Sequence, residues 1–207
     1  MSTRSDNRRP LLLAVFCLSL LSGCSLFQPK PEIVDTDPAK MPLPPELIEA
    51  YNEGLALLKD GEYDAAELHW TGLTEQYAQY PGNWLNLAVA QYRLEKFSES
   101  LSSVGKAQEI NPEFCPAYSV RGLDERELGQ FKEAEKSYLS AIQCNPADVN
   151  ARYNLGILYD LYLHDLPKAL EQYAQVQTMN AAPDETIAMW ITDLERRNAE
   201  QVAGDGS

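Results

Sequence analysis

A period of 34 residues constrains this chain more than any other feature. Gly54, Ala88, Gly122 and Gly156 follow one another at that spacing. Tyr63, Phe97 and Phe131 share it, as do Ala66, Ser100 and Ala134. Ala169 arrives one residue late, which predicts a one-residue insertion in the last copy near His164-Asp165. Asn111-Pro112 recurs as Asn145-Pro146. In the clearest copy, Trp84, Leu87, Ala88 and Tyr92 fall on one helical face, and Phe97, Leu101, Val104, Ala107 and Ile110 on a second. Glu95-Lys96 is the hinge between them, and Asn111-Pro112 stops the second helix. One helix pair of this size cannot bury its apolar side, but stacked copies bury a continuous core. The expectation is an all-α solenoid with copies at 47–80, 81–114, 115–148 and 149–182. Ile187, Trp190, Ile191 and Leu194 then predict a capping helix over 183–200, followed by a disordered tail at 201–207.

The period, the early small residue, the hinge aromatic and the late Pro together resemble the tetratricopeptide repeat (TPR) family over about two thirds of the chain. The resemblance implies a right-handed α-solenoid of helix-turn-helix repeats. It also implies a concave groove, lined by the first helix of each copy, that binds a partner protein. Mapped onto this sequence, copy one contributes Tyr51, Asn52 and Leu55, and copy two contributes Leu85, Asn86, Val89, Tyr92 and Arg93. Copy three contributes Leu123 and Arg126, and copy four contributes Tyr153, Asn154, Ile157 and Asp160. The copies also depart from the family pattern. Where Trp84 stands in copy two, the others hold Ala50, Tyr118 and Arg152, and Glu53 and Arg121 fill a usually apolar site. Asn52, Asn86 and Asn154 share one repeat position. In some TPR proteins such a ladder bonds an extended peptide backbone, because an amide both donates and accepts; Asn is also common there in the repeat consensus. The clamp for a carboxylate tail is not matched, since Tyr51 and Pro116 hold its lysine sites. Arg121 and Glu125 are spaced to pair across one turn.

Ahead of the repeats, Arg4, Arg8 and Arg9 precede an apolar run from Leu11 to Leu21, which is signal-peptide length and too short for a membrane span. Leu21-Ser22-Gly23-Cys24 resembles the bacterial lipobox, which implies cleavage after residue 23 and lipidation of Cys24. The alternative is an ordinary signal peptide or an uncleaved anchor with a chance Cys. Ser25 after the Cys is similar to the pattern that sorts such proteins to the outer membrane, with the domain facing the periplasm. Pro29, Pro31, Pro38, Pro42, Pro44 and Pro45 then break regular structure and predict a tether over 24–46 that reaches roughly 60 Å.

The formal charge is −14 over 207 residues. Such acidity argues against nucleic acid and against lying flat on anionic lipid. Cys115 and Cys144 open and close copy three. An exported chain meets an oxidising compartment, so they form either a disulfide or a pair of buried thiols. Chemistry is sparse. His69 and His164 stand in different copies and are expected on solvated surfaces, and no GxSxG, HExxH, P-loop or CxxC motif occurs. No catalytic residue, metal site or cofactor is expected. The architecture resembles bacterial TPR lipoproteins of pilus and secretion assembly (pilotins among them) and those that gather peptidoglycan hydrolases or proteases. A periplasmic or outer-membrane protein is the expected partner, membrane contact is through the lipid, and a self-associating homodimer is the alternative.

Overall fold

A computed structural model of the chain describes residues 43–180 and 182–205. The signal segment, Cys24 and the tether up to residue 42 lie outside the described residues, as do 206–207. The described residues form helices α1 (Pro45–Asp60), α2 (Tyr63–Gln76), α3 (Pro81–Arg93), α4 (Phe97–Ile110), α5 (Cys115–Glu127), α6 (Phe131–Cys144), α7 (Val149–Ile157), α8 (Leu166–Met179) and α9 (Glu185–Asp205). Consecutive helices pack in pairs, and each pair packs on the next. The helical stretch begins earlier than expected. Pro45 sits in the first turn of α1, where its missing N–H costs nothing, so it starts the helix instead of breaking it.

Each pair turns at one residue with positive φ: Gly61 (80°), Glu95 (60°), Gly129 (74°) and His164 (54°). These positions are 34, 34 and 35 residues apart, so the inserted residue of copy four lies before His164 and not at His164-Asp165. A π-helical turn over Leu158–Tyr162 takes it up, with Leu163 N donating to Leu158 O at 2.9 Å. Widening one turn lets a helix hold an extra residue without disturbing the packing on either side.

The small residues act through close approach. A Cβ on Gly54 would stand 2.5 Å from Trp70, one on Gly122 2.6 Å from Tyr138, and one on Gly156 2.6 Å from Tyr173. These aromatics are fully buried on the second helix of the same copy. Copy two satisfies the same joint with the reciprocal choice, Ala88 beneath Val104, both at 0% exposure. A larger residue on one helix is matched by a smaller one on the other.

The site that departs most from the family pattern also obeys one rule. Trp84 Nε1 donates to Ala78 O (2.8 Å), Tyr118 Oη to Pro112 O (2.8 Å) and Arg152 Nη2 to Pro146 O (3.3 Å). In each of these three copies the acceptor lies six residues back. In copies two to four the position holds a long side chain that ends in a donor and satisfies a carbonyl of the turn after the preceding helix, whereas copy one has Ala50 there.

Helix α9 packs on α8 as the first helix of an unfinished fifth pair would. Ile187 (3% exposed) and Leu194 (1%) face inward. Counted from the capping residues Asp148 and Asp184, Thr192 stands where copy four carries Gly156, and it is exposed, with no second helix packed on it among the described residues. The helix continues through residues 201–205, which the sequence pattern leaves as tail; Gln201, Val202 and Ala203 are all compatible with a helix. None of the described helices is long and apolar enough to cross a membrane.

Candidate partner-binding groove

The first helices of successive copies touch one another, α1 on α3, α3 on α5 and α5 on α7, more closely than the second helices do. The stack therefore curls toward the first helices, and these line its inner face.

The two ends of this face differ. At the C-terminal end α9 closes it. The Tyr153 ring lies 5.7 Å from that of Trp190, and Ile157 packs into the same cluster. Asp160 is ion-paired to Arg197 of α9. Arg126, with 12% of its side chain exposed, holds Glu127 (2.9 Å) and reaches Asn154 Oδ1 (3.5 Å). At the N-terminal end no described residue covers the face. Asn52 is exposed, Leu55 is 40% exposed, and Leu85 and Val89 are half-buried. Tyr51 stands edge-on to Trp70 with ring centres 5.0 Å apart. Tyr92 leans on Phe97, and burial, reinforced by the Glu127 charge, raises its hydroxyl pKa. Arg93 is exposed but lies over the ring of Tyr63 (5.8 Å), so it borders the groove at the hinge side.

Two members of the amide series, Asn86 and Asn154, are engaged within the protein. Asn86 Nδ2 donates to Tyr51 Oη (2.8 Å), which ties copy two to copy one, and Asn154 Nδ2 donates to Asn150 O (2.9 Å). This geometry fits the consensus role better than a ladder for a bound backbone.

One polar cluster escaped the sequence reading. Asp124 is 0% exposed, at a position filled by Ala90 and Leu158 in neighbouring copies. Its Oδ2 lies 2.8 Å from Ser100 Oγ, and its Oδ1 has no partner. Ser100 Oγ also lies 2.9 Å from Ala88 O. A hydroxyl has one proton to give, so if Ser100 donates to the Ala88 carbonyl, the contact with Asp124 needs a proton from the carboxyl. Burial pushes the Asp124 pKa up to about 7 against the Ser100 hydrogen bond, with Glu125 and Glu127 adding to the rise. Next to it, buried Glu125 is satisfied by Arg121 Nε (2.9 Å), the expected one-turn pair, and by Ser137 Oγ (2.6 Å). The sequence signal was available: one acid at a repeat position that is otherwise apolar.

Two further sites differ in outcome. Cys115 and Cys144 form a disulfide with Cα atoms 5.5 Å apart, joining the start of α5 to the end of α6. His69, expected in solvent, is instead half-buried. Its Nε2 lies 2.7 Å from Ala50 O, and its ring stands edge-on to Trp70 above Gly54. Space around a glycine drew it in. His164 is exposed, as expected.

Comparison with known proteins places this geometry. A family model described as "Tetratricopeptide repeat" matches residues 51–113, and one described as "TPR repeat" matches residues 122–160. The TPR repeat-containing protein MJ1428 of Methanocaldococcus jannaschii is 26% identical over 157 residues, 59% of this chain and 28% of its own length. The chain spans less than a third of the curated relatives it matches. The crystal structure of TTC0263, a TPR protein of Thermus thermophilus, is 25% identical with a TM-score of 0.63, over 70% of this chain and 79% of that one. The first TPR domain of Spaghetti (RPAP3), solved with the HSP90 peptide SRMEEVD, is 27% identical with a TM-score of 0.52, over 55% of this chain and 90% of that one. Period, hinge geometry, family models and solved relatives converge, and the chain is a member of the tetratricopeptide repeat family.

Proposed function

We propose that this protein is a lipid-anchored scaffold of the bacterial envelope that holds a periplasmic or outer-membrane protein in its TPR groove. TPR solenoids are protein-interaction scaffolds, and a related domain binds a peptide. The observation that carries the reading is the open N-terminal half of the inner face, where Leu55 is exposed beside half-buried Leu85 and Val89. Well-packed protein surfaces rarely leave such apolar residues together on a concave face without a partner. The signal-like segment and Cys24 support membrane attachment, with the Pro-rich stretch as spacer. Assembly of a pilus or secretion apparatus is the process this architecture suits best, by resemblance alone. The test is affinity purification from crosslinked envelope of the full chain and of a Leu55→Glu, Arg93→Glu double variant, both at exposed positions. Loss of one envelope protein from the variant, with helicity unchanged, supports the groove. Retention of every partner rejects it.

A further inference from the structure

The joints between successive copies share two positions, one on a second helix and one on the first helix that follows it. Between copies one and two these hold Ala66 and Ala90, and between copies three and four Ala134 and Leu158. Between copies two and three they hold Ser100 and Asp124. All of these residues are at 0% exposure. The middle joint is therefore polar where its neighbours are apolar.

Its apolar core is also the thinnest. Trp70, Leu73, Tyr80 and Leu87 belong to a buried cluster across copies one and two. Tyr138, Leu155, Tyr173 and Leu194 belong to another, from α6 to α9. The cluster that spans α3, α4 and α5 is built on Ala88, Val104, Ala107 and Ala117, with Trp84, Leu85, Phe114 and Val120 half-buried around them. Small side chains bury little area, and local opening begins where buried apolar contacts are few.

Ionised Asp124 finds no ready counter-charge among the described residues around it. On α5, Glu125 and Glu127 stand beside it and repel. Arg121 is held by Glu125 and Gln108, and Arg126 holds Glu127 and reaches Asn154. α3 brings Tyr92 and α6 brings Tyr138; burial raises both hydroxyl pKa values, so neither adds a charge. Tyr138 Oη, like Asp124 Oδ1, has no partner. α4 brings Ser100, whose one proton is contested by Ala88 O. An unpaired charge at 0% exposure is strongly disfavoured, and parting α4 from α5 admits the water that relieves it.

We infer that the joint between copies two and three is a proton-operated hinge. With Asp124 neutral, α4 and α5 stay packed and the inner face runs unbroken from copy two to copy three. With Asp124 ionised, the joint opens locally while the helix pairs on either side stay folded. Tyr92 and Arg126 stand on the inner face across this joint, both in contact with Glu127, so the opening alters the groove at its middle. The hinge is a property of the joint and holds whatever occupies the groove.

The test is hydrogen–deuterium exchange of the full chain in detergent at about pH 5.5 and about pH 8.5, read helix by helix and corrected for the intrinsic exchange rate. The expected result is a fall in protection of about tenfold or more in α4 and α5 at the higher pH, with α2 and α8 unchanged. Asp124→Asn abolishes the fall. So does Ser100→Ala, Asp124→Leu, which gives this joint the apolar pair of the next one and still reports if the first variant misfolds. An equal pH dependence in every helix overturns the hinge, because Asp124 then acts on global stability alone. Protection in α4 and α5 that ignores pH, or a pH dependence that either folded variant retains, also overturns it.

Discussion

At the residue scale, packing and protonation meet in the joint between copies two and three. Asp124 has a folded-state pKa of about 7 against an ordinary value of 3.8. Between those pH values the folded protein holds a proton that the unfolded chain has released. Stability therefore falls as pH rises through this window and stays low above it, by up to about 4 kcal/mol if the whole shift is realised. Asp124→Asn keeps the shape of the neutral acid and can donate to Ser100. Urea unfolding at pH 5 and pH 8 should show the wild type losing stability at the higher pH and the variant losing far less; equal slopes would remove Asp124 as the cause. The close-approach pairs give a second prediction. Gly122→Ala puts a methyl group 2.6 Å from Tyr138 and should cost about 1–3 kcal/mol. Adding Tyr138→Val recreates the Ala88–Val104 joint of copy two, so the double variant should be more stable than additivity of the single variants allows. Simple additivity in a thermal-melt cycle would count against the matched-size account.

At the scale of the element, the disulfide staples one helix pair. Closing a loop of this length contributes about 3.5 kcal/mol in the loop-entropy account, and alkylation of Cys115 and Cys144 in the unreduced, denatured protein would show that the bridge is absent in solution. Much of the element plan was legible because a 34-residue period repeats each choice four times, and any one copy can be read against the others. What stayed hidden had two physical causes. Trp84, Tyr118 and Arg152 look unrelated as residue types, yet they share a donor at the end of a long side chain, a similarity of geometry and not of hydropathy. The extra residue of copy four was detected, but its place was not, because a π turn hides an insertion within apolar helix sequence (Leu158–Tyr162). The groove was legible as a set of first-helix residues. Its asymmetry was not, since closure by Trp190 and Arg197 depends on how α9 packs.

At the largest scale, the described residues form a solenoid whose inner face is uncovered by them at one end and closed by α9 at the other. If Cys24 carries the anchor, Cys24→Ser should move the protein from the membrane fraction to the soluble fraction, because several acyl chains on one residue are what hold it there; an unchanged membrane fraction would reject lipid anchoring. The central claim is that the first helices form the recognition face. Its most direct measurement is photo-crosslinking in intact cells, with a benzophenone amino acid placed at Leu55 or Asn52 on the inner face, or at Lys106 or Lys132 on the exposed second helices. The account predicts one discrete crosslinked partner from Leu55 and Asn52, and none from Lys106 or Lys132. A partner captured only from the second helices would contradict it.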